Sequence, residues 1–484
     1  MRVWLVLLFA WGLAAAPDET VRRLDGSTLS SRQIDETVSR LMAAAEVTGA
    51  GIAILNDGHV AYLKAYGLRD VARKLPLTED SVMGAASLSK AAFAYLAMQM
   101  VASQALDLDK PIQQYLPKPL PEYNAYRDLA GDPRYRKITA RMLLSHTAGF
   151  PNLRWLSDDR KLNINFEPGT RYAYSGEGIQ LLQFVVETIA GKPVKDLMQE
   201  RVFGPLGMSR TSMITEPNFA DNCAIGYDEW GRPLGCQQRK SASAAGSMQT
   251  TIRDYARFLE AVLASTRLPV SARDLMLSPQ VEIRSKHQFP SLSTETTGEN
   301  RPIRLSYGLG WGLYWSPYGK VFFKEGHDEG FRHYAVAFEK PKTGMIVMTN
   351  SSNGEGIFQD LLETLIRDTF TPCTWEGFVR YSDLPPRVAL PKHTEIAVDP
   401  SRLDRLVGRY SVPGAVLTIT RQGGHLALRE NEEPPGELFP ESELSFFSKT
   451  SDDVVSFDLD AAGRVSQLVI HTGGRNIVVK RADY

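Results

Sequence analysis

Ala86-Ser87-Leu88-Ser89-Lys90 is followed by Ala91-Ala92-Phe93-Ala94-Tyr95-Leu96-Ala97-Met98-Gln99-Met100, a run that is apolar almost all round a helical projection. A helix of that kind is buried on every side. At its start, residues three apart are neighbours on one face, so Ser87 and Lys90 can meet. A serine hydroxyl is a weak nucleophile until a base stands beside it. Lysine can be that base when burial or a nearby cation lowers its pKa. The free N–H groups of a first helical turn can also hold an oxyanion. The stretch therefore predicts a nucleophile at Ser87, a base at Lys90 and acyl-transfer chemistry. A bare Ser-x-x-Lys is also what a capping serine and a surface lysine would give. The apolar run behind it weighs against that alternative.

Upstream, Ile34, Val38, Leu41, Met42 and Ala45 recur at helical spacing. Ile52 to Leu55 and Val60 to Ala65 then read as a hairpin turning at Asn56-Asp57-Gly58. Downstream, one helix covers about Gly178 to Ala190 and stops at Gly191. Another opens on the capping signal Thr251-Ile252-Arg253-Asp254 and runs to about Ala264. Lys286 to Pro302 is polar and aperiodic, a mobile loop in this reading. Val321-Phe322-Phe323, Phe331 to Phe338 and Met345 to Met348 read as strands, with polar turns at Gly326 to Gly330 and Pro341 to Gly344 and a last helix over about Ile357 to Phe370. Strands at both ends with helices between imply a mixed α/β (α+β) domain whose terminal segments share one sheet.

Pro385-Pro386, Pro391 and Pro400 mark a linker. Short alternating runs follow at Leu417–Thr420, His425–Leu428, Leu444–Phe447, Val454–Leu459, Val465–Ile470 and Ile477–Lys480, the pattern of a small antiparallel β-barrel or sandwich. It carries no catalytic constellation. The expected domains are a leader over 1–16, a catalytic domain over 30–375, a linker over 376–400 and the β-domain over 401–484.

The chain of 484 residues is 43% hydrophobic with a net charge of −1, which suits a large packed core and gives no basic excess for nucleic acid. Arg2, the apolar run Val3 to Leu13 and the small residues up to Ala16 form an export signal, and Pro17 favours a cut one or two residues before Ala16. The run is short for a span; an uncleaved anchor is the alternative, and cleavage would leave a periplasmic or secreted protein without a stable membrane span. Export permits a disulfide. Cys223 and Cys236 flank a turn and could pair, leaving Cys373 free, or all three are buried thiols. No ligand spacing suggests a metal.

The ordered set of segments around Ser87 resembles the serine β-lactamase and penicillin-binding protein superfamily, in its class C-like branch, over about residues 35–370. The segments are the hairpin ending at Gly67, Ala86 to Lys90, Leu106 to Ile112, Leu143-Leu144-Ser145-His146-Thr147-Ala148-Gly149, Pro168 to Ser175, Pro205-Leu206-Gly207-Met208, Ala245-Gly246-Ser247-Met248, Tyr307 to Trp311 and Met348 to Ser351. The resemblance implies a β-lactamase-like domain, an acyl-enzyme at Ser87 and no cofactor. Its Tyr-x-Asn triplet falls on Tyr174-Ser175-Gly176: the phenol is kept and could share the base role, while the asparagine is replaced by glycine. Tyr174 is otherwise a core aromatic. The third element, Lys-Thr-Gly or His-x-Gly, is placed at Gly326-His327-Asp328-Glu329-Gly330, with His327 as the site residue and Gly330 or a neighbour as an oxyanion donor; Glu329 stands where the motif has glycine, so either the loop is one or two residues shorter or a carboxylate lies near the site. The other reading of His327 is a histidine bonded locally in a loop. The literal Lys342-Thr343-Gly344 lies in a turn roughly 25 Å away, at about 3.3 Å per residue of strand. His146 reads as structural.

A mostly neutral His327 would favour small esters or D-amino-acid amides over β-lactams. Arg332, as a carboxylate ligand, would keep β-lactamase or DD-peptidase activity open. The expected partner is a small-molecule ester, amide or peptide. A non-catalytic sensor retaining the fold is the competing class.

Overall fold

The computed structural model describes residues 20–482 apart from 158, 386–392, 413–414, 431–434, 450, 452 and 473–474. The leader and the centre of the proline-rich linker therefore lie outside the described residues. The chain divides into two compact units, one of residues up to 152 with 163–383, the other of 153–162 with 384 onward.

The first unit is built on a nine-stranded antiparallel sheet. Its strands in chain order are β1 Gly49–Asn56, β2 His59–Asp70, β3 Leu75–Pro76, β4 Val281–Glu282, β5 Ser306–Tyr307, β6 Gly312–Ser316, β7 Gly319–Asp328, β8 Phe331–Phe338 and β9 Thr343–Thr349. Across the sheet they run β4-β5-β6-β7-β8-β9-β1-β2-β3. The sequence-derived hairpin thus docks on the last strand, with Ile52 opposite Val347 and Ile54 opposite Met345. These are runs of branched and aromatic residues buried on both faces, the reason they show little alternation.

One face is covered by α1 (Ser31–Ala44), whose Ile34, Val38 and Leu41 pack with Ile52, Val336, Phe358 and Leu361. Ser30 and Gln33 close a reciprocal capping box at its start. The other face carries α2 (Leu88–Ala102) and, beyond α3 (Gly176–Ala190), α4 (Ile252–Ala264). α2 buries twelve of its fifteen residues, each large apolar side chain contributing about 1.5–3 kcal/mol. Gly310 owes its place to this helix: a Cβ there, at φ +86°, would stand 2.3 Å from Ala94 Cβ. The helical segment after β9 ends at Ile366, with Arg367 left-handed, four residues before the sequence-derived end.

The second unit is a closed eight-stranded barrel, each strand antiparallel to the next and the first paired with the last through Tyr410 and Arg481. All six alternating runs are strands; Gly408–Val412 and Gly436–Pro440 complete the ring. Tyr410, Ile419, Leu426, Phe446, Phe457 and Leu468 fill its interior. Among the described residues no helix is long and apolar enough to cross a membrane.

Candidate active site

Ser87 stands at the N-terminus of α2 with φ −71° and ψ −5° and makes no side-chain capping bond. The residue before it, Ala86, is held at φ +48°, a conformation that costs a non-glycine residue about 1–3 kcal/mol. Ser89 locks this turn: its Oγ donates to Ala86 O at 2.6 Å and accepts from Met248 N at 3.0 Å. The hydroxyl of Ser87 is thereby left for chemistry, and among the described hydrogen bonds its amide has no acceptor.

Lys90 is no surface lysine: it is 3% exposed, and its Nζ donates to Ser87 Oγ at 3.0 Å and to Ala245 O at 2.5 Å. Burial pulls its pKa down to about 7, with Lys324 acting in the same direction and Glu325 opposing. Tyr174 is buried across from it, its ring 5.0 Å from Lys90 Nζ and 4.8 Å from Lys324 Nζ. Burial drives the phenol well above 10 and Glu325 adds to this, while a hydrogen bond with Ser87 works against them. Tyr174 is therefore a neutral phenol and Lys90 the group that can titrate near pH 7.

His146 is buried behind the site. Its Nδ1 accepts from Ser175 N at 3.2 Å and its ring lies 4.5 Å from that of Tyr174. Burial, then the two lysines, hold the imidazole neutral. It props the Tyr174 segment where that segment enters α3. Gly176 has no side chain to offer, but its N–H donates at 3.0 Å to Oδ1 of Asn152, an asparagine from a different turn.

The third element is not where the sequence reading put it. Residues 326–328 belong to β7, which continues to Asp328 and turns only at Glu329-Gly330. Side chains alternate along a strand. Lys324 and Gly326 face α2, so His327 faces away; its ring is 59% exposed and lies 3.2 Å from Glu355. Gly330 N donates to Ser352 Oγ at 3.1 Å, so it is already used. Arg332 is paired with the same Glu355 at 3.2 Å and donates to the carbonyls of Asp328 and Phe331. The structure thus brings together Ser87, Lys90 and Tyr174, and does not bring the side chains of His327 and Arg332 or the N–H of Gly330 to them. Lys342-Thr343-Gly344 starts β9, away from this group, with Lys342 at φ +51°.

What stands in place of His327 is Lys324, fully buried, with Nζ 3.1 Å from Tyr174 Oη and 2.5 Å from Glu325 Oε1. Gln288, from the long loop after β4, donates to the same Glu325 oxygen at 3.1 Å. A Cβ on Gly326 would lie 2.9 Å from Ala85 O and 3.2 Å from Leu88 Cγ, so β7 passes directly against the start of α2 here. The signal was present as a literal Lys324-Glu325-Gly326 inside the apolar strand; a lysine there needs a partner. Starting the motif at Gly326 hid it.

β7 also has an open edge. Glu339 N bonds Lys320 O, and the Asp328–Phe331 pair closes a two-residue hairpin. Even-numbered residues of β7 therefore bond to β8, and odd-numbered ones point their backbone groups toward β6. β6 ends opposite Phe323. The N–H and C=O of Glu325 and His327 are then directed to a vacant edge beside Ser87.

Comparison with known proteins agrees with this architecture. The Beta-lactamase family model matches residues 34–366. Penicillin-binding protein 4* of Bacillus subtilis (strain 168) is 24% identical over 459 residues, covering 87% of this chain and 93% of that protein. A Beta-lactamase of Pseudomonas fluorescens is 26% identical over 291 residues, covering 58% and 74%. The octameric penicillin-binding protein homologue from Pyrococcus abyssi superposes with a TM-score of 0.58 at 20% identity, over 93% of this chain and all of that one.

Proposed function

The chain belongs to the Beta-lactamase family, serine hydrolases acting on small acyl or peptide substrates, and from that premise we propose that Ser87 is its acylated nucleophile, in an enzyme of esterase type. The observation that carries this is the buried Lys90 ammonium 3.0 Å from Ser87 Oγ, with its pKa near 7. Neutral Lys90 takes the Ser87 proton as Oγ attacks the carbonyl carbon. The developing oxyanion is held by the unpartnered N–H of Ser87 and the edge-directed N–H of His327, which replaces Gly330 in this role. Tyr174, donating from its phenol and restrained by Lys324, passes a proton to the departing alkoxide or amine. Water then attacks the acyl-enzyme and the steps reverse.

An ester is favoured because Gly176 offers no carboxamide to a substrate amide, and because Phe289, 46% exposed, stacks edge-on to Tyr174 at 5.5 Å and gives an apolar wall. The names of the relatives favour a second reading, β-lactam or cell-wall peptide turnover. Assays of p-nitrophenyl acetate and nitrocefin, with fluorophosphonate labelling of wild type and Ser87→Ala, decide. Ester turnover and labelling lost in Ser87→Ala are expected. Nitrocefin turnover without ester cleavage would reverse the preference, and no labelling at all would make the protein a sensor. Export is proposed from the apolar run Val3 to Leu13 behind Arg2, and sequencing of the mature N-terminus tests it.

A further inference from the structure

We propose that this site selects substrates whose leaving-group side carries no carboxylate, and that Glu325 is the residue that sets the selection. The inference deepens the acyl-enzyme reading and rests on it. An ammonium has three N–H donors and no more. Those of Lys324 have three acceptors in the protein: Tyr174 Oη at 3.1 Å, Glu325 O at 3.3 Å and Glu325 Oε1 at 2.5 Å. No hydrogen bond remains for a substrate anion. Lys324 is also wholly buried and Glu325 is 6% exposed, so whichever of the two holds the shared proton, the pair presents no net charge.

The neighbouring cations are neutralised in the same way. Arg332 faces Glu355 at 3.2 Å, and Arg239 donates to Asp328 Oδ2 at 2.6 Å. Asp328 is held in addition by Gln237 at 3.0 Å. Arg332 on β8 and Arg239 beside the end of β7 are thus each paired with a carboxylate. A substrate laid along the open edge of β7 would meet the backbone of Glu325 and His327, and a free carboxylate there would find Lys324, Arg332 and Arg239 already paired with carboxylates. Like charges placed together without a compensating donor are selected against.

The test compares two acyl thioesters that differ only in the leaving group, thioglycolate and its methyl ester. The reading is the ratio of kcat/KM for ester over acid within each protein, so a general loss of activity cancels. Wild type should favour the neutral thioester by about tenfold or more. Glu325→Thr, which frees a donor of Lys324 and leaves its charge uncompensated, should lower that ratio by about tenfold, and Glu325→Gln, which leaves the charge uncompensated while its carboxamide oxygen can still accept, should lower it in the same direction. A wild type that prefers the acid overturns the proposal whether or not either variant folds. So does an unchanged ratio in variants that still turn over. Failure of the parent reading is seen differently, as no thioester cleavage and no acyl-enzyme on Ser87 for either compound.

Discussion

Replacing Lys324 with methionine should move the pH dependence of acylation upward. The rings and ammonium groups give the scale: Tyr174 lies 5.0 Å from one nitrogen and 4.8 Å from the other, so Lys90 Nζ and Lys324 Nζ are no more than about 10 Å apart. Two unit charges at about 10 Å with an effective dielectric of about 20 repel by about 1.7 kcal/mol, which is slightly more than one decade in a proton equilibrium. Wild-type kcat/KM for a small ester should rise with pH around Lys90's value of about 7, as the base loses its proton. In Lys324→Met the repulsion is gone, the protonated form is favoured, and the rise should centre near pH 8, about one unit higher. Glu325, left unpaired, pushes in the same direction. Removing one partner of a buried pair also destabilises by about 3–5 kcal/mol, so the double variant Lys324→Met/Glu325→Gln is the companion. There both charges vanish; because Lys324 outweighs Glu325 in its effect on Lys90, the limb should still move up, by less. Profiles are read by pre-steady-state acylation with a probe whose signal does not depend on pH. A limb that stays at about 7 in both variants, or moves down, would refute Lys90 as the titrating base.

Tyr174→Phe keeps the ring between the two ammonium groups but removes the proton donor, and should lower kcat by about 10²–10⁴ with KM little changed. Gly326→Ala places a methyl 2.9 Å from Ala85 O; steady-state kinetics should show near-complete loss of activity, since β7 must retreat from the start of α2. Cys223 and Cys236 are joined in a disulfide closing a segment of separation 13, while Cys373 is free and buried. Reducing that bond, or Cys236→Ser, should lower unfolding free energy by up to about 3 kcal/mol in urea titrations.

The parts legible in the sequence were those with local causes. A fully apolar run after Ser87-x-x-Lys90 can only be a buried helix, and Thr251 and Gly191 cap where caps were expected. Six of the eight barrel strands announced themselves by alternation. The strand Gly312–Ser316 was not anticipated; its neighbourhood is set by close approaches, of Gly310 to Ala94 on α2 and of Gly312 to the Phe323 ring, which are tertiary facts. The site was legible for Ser87, Lys90 and Tyr174 because one helical turn and one family segment place them. His327 was assigned by motif on the assumption of a loop at 326–330; the strand runs through it, and period two then sends its side chain to the other face. Ala245 O, Gln288 and Asn152 reach the site from three separate loops, and no spacing rule anticipates a carbonyl from a distant chain segment.

The order of strands across the sheet has a consequence for the timing of synthesis. β1 has no neighbour on one side until β9 exists, and α2, with Ser87 at its start, packs on β7. A growing chain therefore carries Ser87 long before Lys324 emerges; at about 5–20 residues per second the interval is on the order of tens of seconds. During it Tyr174 lacks its second ammonium, Lys90 lacks the like charge that adds to burial in lowering its pKa, and the N–H of His327 is absent. The group around Ser87 is thus completed only once β7 has emerged, so an unfinished polypeptide carries the serine without its full set of neighbours.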